Sequence, residues 1–515
     1  PLDRPKVMIL GGGPNRIGQG IEFDYCCVQA VYGLREAGYK SIMVNCNPET
    51  VSTDFDLADR LYFEPITFED IMNIIEFEKP DGVLVQFGGQ TPLKIAEQLT
   101  NEGVKIFGTS SASIDLAENR EAFASIIKKL KIQIPEYCIA KNYEEIINFS
   151  EIAQFPVLVR PSYVLGGRAM QIVYNKEQLV DYVFRSAEAT NDHPILIDQF
   201  IENAFEFDVD ALSDGEEVFV AGIMQHIEEA GVHSGDSSCV LPPYDMSSKV
   251  KKDIIDMTTK LALELNVIGL INLQFAVKDN EVYVLEVNPR SSRTVPFVSK
   301  YSNVPLANIA AQLSVGRKIS DFNLNENRFK HTAVKKAVLP FKKFKDEKVF
   351  LGPEMKSTGE VMGIDTEPGI AFLKAMQSDG YTVPRSGTAF VSITDVDKKR
   401  ALPIIKDLEK LNFTIIATKG TAEFLLENNI NCSPVFKVGE GRPNVVDEIL
   451  NDNIHLVINT PQGAQSRYDE EAIGKTSVMK NVLTITTLAG AKAAIEAMSN
   501  MNKIRVAPLQ EYFKQ

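Results

Sequence analysis

The sequence predicts an α/β protein in which a doubly wound parallel sheet opens the chain, an α+β region follows, and a second, smaller α/β domain closes it. Three observations carry that expectation. Short β-branched runs alternate with stretches of helical periodicity over residues 1–120. Two alternating runs, Leu270–Val277 and Val282–Val287, are separated only by the polar Lys278-Asp-Asn-Glu281, so they read as a hairpin. A fresh βα series then starts at Gly387 and runs to the end.

Size and charge bound the rest. A chain of 515 residues exceeds one hydrophobic core, and divisions are expected at 1–120, 121–315, 316–380 and 381–515. A formal net charge of -15 leaves no excess cations for a nucleic acid or an anionic membrane, so neither is an expected partner. Six cysteines without a C-x-x-C pair read as reduced thiols. The start lacks an initiator Met and an apolar signal-like run, which points to a piece of a longer polypeptide and to a cytoplasmic location.

Taken in order, Lys6–Leu10 is an apolar strand that enters Gly11-Gly-Gly-Pro-Asn-Arg16, and a helix follows from Ile21 to Gly38. Arg16 stands where a dinucleotide fingerprint needs its third glycine, so the run reads as a structural turn, or as one offering N–H groups to an anion. Strands are expected at 41–45, 60–63, 82–86 and 105–107, a helix from Asn119 to Leu130, and a strand at Phe155–Pro161. The loop Ser162-Tyr-Val-Leu-Gly-Gly-Arg168 is either a plain hairpin loop or a glycine flap over phosphates, with Arg160 and Arg168 supplying charge. The strand Glu206-Phe-Asp-Val-Asp210 carries alternating acids, the pattern of a wet sheet face. His233 lies in the loop 230–237, and an amphipathic helix from Ser247 to Leu265 leads into the hairpin. In the last domain, strands at 387–393, 413–417, 455–459 and 482–485 end near Thr418, Thr421, Lys437 and Asn459, a set suited to binding an anion and lacking an acid-base pair.

The hairpin carries the chemistry. Gln274, Glu286 and Asn288 are all even-numbered, so an odd-length loop would turn the three oxygen-bearing side chains to one face. One carboxylate with two amide oxygens suits a hard cation that keeps phosphate oxygens in its shell; a strand pair stopped by Asn-Pro would look the same. Arg290 and Arg293 follow directly.

Gly11–Tyr25, Asn45–Asp54, Arg160–Arg168 and Glu286–Arg290 together resemble the large subunit of carbamoyl phosphate synthase, and Arg293–Lys300 with the closing domain resembles its carboxyl-terminal half. The resemblance covers essentially the whole chain and implies a pre-ATP-grasp domain, an ATP-grasp domain and a methylglyoxal-synthase-like allosteric domain. It implies phosphorylation of carbamate by ATP, within glutamine-dependent synthesis that feeds pyrimidine and arginine pathways. ATP would be held by Arg160, Gly166, Gly167, Gln199, Ile201, Glu206, Gly231, Val232, His233, Ser234, Gln274 and Glu286. Mg²⁺ or Mn²⁺ would be held by Gln274, Glu286 and Asn288, with K⁺ as a further cofactor. Arg120, Arg290, Arg293 and Glu286 would serve catalysis. Thr418, Thr421, Lys437 and Asn459 match the effector pocket for a UMP-type nucleotide or ornithine, although Thr460-Pro461-Gln462 departs from the bacterial pattern. Implied partners are an amino-terminal synthetase half, a glutaminase small subunit, and further copies in an oligomer. A bicarbonate-phosphorylating half, or a regulatory module active only in the full complex, would share these features.

Overall fold

The structure is a computed structural model that describes residues 2–16, 20–140, 143–161, 170–187, 195–244, 246–324, 329–342, 351–460 and 464–514. It divides into two compact units, one of Pro1–Glu136, Ala204–Gln225 and Leu241–Arg328, the other of Tyr137–Asn203, His226–Val240 and Phe329–Gln515.

In the first unit, strands Lys6–Leu10, Lys40–Val44, Arg60–Tyr62 and Gly82–Leu84 form a parallel sheet in which Lys6–Leu10 is central, flanked by Lys40–Val44 and Gly82–Leu84. Parallel neighbours need crossovers, and helices Glu22–Glu36 and Phe68–Glu78 supply two of them. The central strand is buried along its whole length, which is why it reads as an unbroken apolar run. Its one charged residue, Lys6, is 2% exposed and meets the 1% exposed Glu78 carboxylate at 3.4 Å. Glu78 also accepts from Tyr62 Oη and Leu2 N, so the buried charge is not left unpaired. The expected strand at 105–107 shrinks to a single bridge between Val83 and Ile106.

The glycine run after Leu10 is a close backbone approach. A Cβ on Gly11 would lie 2.5 Å from the Asn45 side chain, and Gly13, at φ +73°, donates its N–H to Asn45 Oδ1 at 3.0 Å. The glycines serve a turn that Asn45 fastens, which favours the structural reading of that run.

The same unit carries four antiparallel strands in the order Glu281–Asn288, Ile268–Lys278, Phe205–Asp214, Val218–His226. Odd-numbered Phe207, Val209, Ala211, Ile271, Leu273 and Phe275 pack in one core cluster with Phe123, Ile127, Ile254 and Leu261 of the helices Arg120–Leu130 and Ser248–Glu264. The even-numbered residues of Phe205–Asp214 and Ile268–Lys278 face the other way.

The second unit holds a four-stranded antiparallel sheet in the order Tyr137–Ala140, Ile195–Gln199, Val157–Pro161, Gln171–Val173, and an antiparallel pair Thr332–Val338 with Gly359–Asp365. Its last part is a five-stranded parallel sheet ordered Cys432–Val435, Phe413–Thr418, Gly387–Ser392, Leu456–Asn459, Leu483–Ile485. All six cysteines are free thiols. Among the described residues, no helix is long and apolar enough to cross a membrane.

Candidate functional site

The hairpin forms as expected, and its register explains how three polar side chains come to one face. The connecting loop is not of odd length. It is a two-residue turn, Asp279-Asn280, with both residues at positive φ (53° and 63°), the conformation that suits a tight hairpin. From that turn the pairing runs Lys278 with Glu281 up to Phe275 with Val284, a register that would set Gln274 opposite Leu285 and aim Glu286 at the core. A bulge intervenes, and beyond it Gln274 pairs with Glu286 and Asn272 with Asn288. The burial pattern switches accordingly: Val282 and Val284 are buried in the core, then Val287 is, while Glu286 is exposed. One extra residue, Leu285, therefore sends Glu286 and Asn288 to the polar face.

Arg290 is tied to that face. Its Nη2 donates to Asn288 Oδ1 at 2.9 Å and its Nη1 to the Ser291 carbonyl at 2.9 Å. With the Gln90 amide turned so that its oxygen faces the guanidinium, that oxygen accepts from Arg290 Nε and Nη2 at 3.2 and 3.1 Å. Phe23 lies beneath at 5.9 Å from the guanidinium carbon. Burial and the neighbouring Arg293 draw the Arg290 pKa down, while Glu286 and Glu118 hold it up. Glu118 is pushed up by burial and pulled back by Arg290 and by its hydrogen bond to Gln90. Arg120 is the first residue of the helix Arg120–Leu130, two positions after Glu118, and Asn119 caps that helix by accepting from Glu121 N and Ala122 N.

The donor set on this face is all oxygen, and Asn288 Oδ1 spends one acceptor position on Arg290, leaving the other for a cation. Among the described residues no group of three or more His, Cys, Asp and Glu surrounds one point. A cation here would rest on Glu286, two amides and a ligand's phosphate oxygens, which fits Mg²⁺ or Mn²⁺ and not a soft metal.

The expected wet face of the strand Phe205–Asp214 is corrected. Asp208 and Asp210 are each 1% exposed, and Ser292 and Thr294 of the chain after the hairpin hydrogen-bond to Asp210. Asp210 pairs in register with Asn272, and Glu206 with Ala276. Burial pushes the Asp210 carboxyl up to about 6 even though Thr294, Ser292 and Asn272 donate to it. The alternating acids thus mark a buried polar layer; side-chain alternation alone does not say what covers a face.

In the second unit, Arg160 sits near the end of Val157–Pro161 and its Nη2 lies 3.4 Å from the buried Asp198 carboxylate. Gln199 ends the neighbouring strand Ile195–Gln199, and Ile201 follows it. Gly166, Gly167 and Arg168 lie outside the described residues. Gly231 has φ +90°, and a Cβ there would meet the Phe200 ring at 2.7 Å, so only glycine fits. Val232 follows, then His233, whose N–H donates to the Gly352 carbonyl at 2.7 Å and whose Nδ1 accepts from Gly235 N at 3.0 Å. The Ser234 carbonyl accepts from the buried Lys335 ammonium at 3.3 Å. Glu228, which the sequence did not single out, has its carboxyl pushed up by burial while Lys336 and Ser238 oppose the shift; Ser237 Oγ is buried without a hydrogen-bond partner.

At the carboxyl edge of the five-stranded sheet, Thr418 ends one strand, Asn459 ends another, and Ser392 between them pairs with Asn459. Thr418 Oγ1 donates to Thr421 Oγ1 at 3.2 Å and to Ser392 Oγ at 3.5 Å, and Thr421 Oγ1 accepts from Ile393 N at 3.1 Å. Thr418, Thr421 and Asn459 are buried; Lys437 is exposed on the turn after Cys432–Val435, near Asp469. Ser392, Thr394 and Thr460 extend this layer, Thr394 donating its N–H to Thr460 Oγ1 at 3.2 Å; Ser392 and Thr394 were missed because isolated Ser and Thr carry no spacing signal.

The fold is of the ATP-grasp class. Similar solved structures are the biotin carboxylase domain of the Hydrogenobacter thermophilus 2-oxoglutarate carboxylase in complex with MgADP, ADP and bicarbonate (TM-score 0.58, 15% identity, 72% of this chain and 90% of that one), and biotin carboxylase from Campylobacter jejuni (TM-score 0.57, 14%, 72% and 91%). Family models match in sequence order: the carbamoyl phosphate synthase preATP-grasp domain over residues 3–116, the carbamoyl-phosphate synthase L chain ATP binding domain over 119–322, and the MGS-like domain over 400–486. The carbamoyl phosphate synthase large chain of Archaeoglobus fulgidus is 55% identical across all of this chain, which spans 48% of that relative. The C-terminal section of the large chain of Aquifex aeolicus is 52% identical over 97% of this chain and 96% of its own length. The chain belongs to the carbamoyl phosphate synthase large-chain family, and it spans about half the length of the full-length relative from Archaeoglobus.

Proposed function

We propose that this chain is the carboxyl-terminal synthetase half of a glutamine-dependent carbamoyl phosphate synthase, and that it phosphorylates carbamate with ATP. The observation that carries the reading is the cluster in which Arg290 reaches Asn288 Oδ1 beside Glu286, with Arg293 adjacent. Carbamate is already anionic, so its oxygen attacks the γ-phosphorus without a general base, the bond to the β,γ-bridging oxygen breaks, and ADP leaves. The protein's task is then orientation and charge neutralisation. Bound Mg²⁺ or Mn²⁺ on Gln274, Glu286 and Asn288 would supply neutralisation of the phosphate charge. Arg120, Arg290 and Arg293 would restrain the carbamate and the phosphoryl oxygens.

Nucleotide contacts are assigned to Arg160, Gly166, Gly167, Gln199, Ile201, Glu206, the loop Gly231–Ser234, Gln274 and Glu286. The candidate for K⁺ is the segment around Glu228, whose carboxylate accepts from Ser238 N and Oγ, one residue after the buried, unpartnered Ser237 Oγ. Thr418, Thr421, Lys437 and Asn459 would bind a UMP-type nucleotide or ornithine. The division at 1–120, 121–315, 316–380 and 381–515, the cytoplasmic location, and assembly with an amino-terminal half, a glutaminase subunit and further copies complete the reading. The existence of a separate C-terminal section of similar length in Aquifex supports it.

The test is the reverse partial reaction. The chain, given Mg²⁺, K⁺, ADP and carbamoyl phosphate, should form ATP. Folded protein that forms none, or one whose ATPase responds only to bicarbonate, would reject the carbamate assignment.

A further inference from the structure

We infer that Asp210 is a positioning residue that locks the turn bearing Arg290 and Arg293, through the hydroxyls of Ser292 and Thr294. The inference rests on the carbamate-kinase reading for its activity readout and adds to it a residue outside the predicted site.

The turn between the strand Glu281–Asn288 and the helix Val295–Ser302 is held from two sides. On one side Ser291 donates its N–H and its hydroxyl to the Gln86 carbonyl, both at 3.0 Å, and the hydroxyl also reaches the Phe87 carbonyl at 3.1 Å. On the other, Ser292 Oγ donates to Asp210 Oδ1 at 2.7 Å and Thr294 Oγ1 to Asp210 Oδ2 at 2.6 Å. Asn272 Nδ2 donates to Asp210 Oδ1 at 3.0 Å, and Asn272 is in turn the register partner of Asn288. Asp210, Asn272, Ser291, Ser292 and Thr294 are all buried. Arg293 lies between Ser292 and Thr294, and Arg290 immediately precedes Ser291. The carboxylate therefore ties the two arginines and the Asn288 end of the hairpin to one frame.

Two features argue that position and not stability is what the arrangement serves. A buried carboxylate is a costly way to join strands, since desolvation opposes its charge. Thr294 also stands at the N-cap of the helix Val295–Ser302 yet makes no side-chain cap there: its backbone is helical (φ -84°, ψ -12°), not extended as a capping residue's is, and its Oγ1 is turned to Asp210. A Thr at that position ordinarily stabilises the helix through its cap, and here that contribution is forgone.

The experiment uses the 515-residue chain and compares Thr294→Val and Asp210→Asn with Thr258→Val. Thr258 is an equally buried hydroxyl on the helix Ser248–Glu264 whose Oγ1 has no partner, so it controls for loss of a core hydroxyl. For ATP formation from ADP and carbamoyl phosphate, kcat should fall by more than about tenfold in the first two variants while KM for ADP stays within about twofold, as expected when reacting groups are misplaced by a fraction of an ångström. Amide hydrogen exchange at Ser291–Val295 should accelerate by a similar factor in Thr294→Val and not in Thr258→Val. Unchanged kcat, a kcat loss matched by Thr258→Val, or unchanged exchange would each overturn the inference. A wild-type chain that forms no ATP, together with the expected exchange change, would reject the carbamate reading and leave the clasp standing.

Discussion

The polar face of the hairpin in the first unit and the carboxyl edge of the five-stranded sheet in the second are both built at strand ends, but from opposite materials. The hairpin face gathers Glu286, Glu118, Arg290 and Arg293, with the protonation of Glu118 and of Arg290 acted on by the other charges. The sheet edge gathers Ser392, Thr418 and Thr421, neutral hydroxyls already hydrogen-bonded among themselves, beside Asn459. Charge concentrated against low-dielectric walls is what a site needs to stabilise a moving phosphoryl group, while pre-satisfied hydroxyls recognise a ligand without changing it. Under the proposed function, the comparison separates a place for chemistry from a place for binding.

That contrast can be broken in three ways. The largest effect is expected from inserting one alanine between Leu285 and Glu286, which lets the strand continue in the register of its turn, with Leu285 opposite Gln274. Glu286 would then oppose Asn272 instead of Gln274 and Asn288 would lose its pairing with Asn272, so metal-dependent activity should vanish while urea denaturation still reads a folded chain. An insertion variant with normal Mg²⁺ dependence would show that the pairing of Gln274 with Glu286 does not set the site.

Glu286→Gln comes next. Glu286 is exposed, so the fold should stay intact by melting temperature while phosphoryl transfer falls by about a thousandfold, as expected for loss of a metal-bridging charge. Near-normal turnover would remove Glu286 from the metal site. Thr421→Val is the mildest. It should cost about 1 kcal/mol by breaking the bonds to Ile393 and Thr418, and should weaken nucleotide binding to the chain about tenfold by titration calorimetry. Unaltered binding would argue that the hydroxyl layer is structural.

Much of the architecture was legible because it follows from local pattern. Lys6–Leu10 reads as a buried parallel strand since both its faces are covered, and Phe413–Thr418, with Thr414 exposed, reads from its β-branched apolar run. The hairpin strands read correctly since alternation survives one buried face. The parity argument for Gln274 and Glu286 reached the right pairing by the wrong route, for it assumed an odd loop where the chain uses an even turn and a bulge. Gly231 and Gly11 were recognisable as glycines but not as close approaches, because the Phe200 ring and the Asn45 side chain that exclude a Cβ are distant in sequence or across a turn.

What the amino-acid order determined by itself was the succession of strands and helices, the identity of the oxygen donors and arginines, and the family to which they belong. These depend on periodicity and on contiguous motifs. What only the tertiary structure decided was which face each donor takes and what lies over it: the Leu285 bulge that turns Glu286 outward, the burial of Asp208 and Asp210, and the recruitment of Gln90 and Glu118 to Arg290. Those are contacts between residues as much as two hundred positions apart, and their energies exist only once the chain has closed those loops.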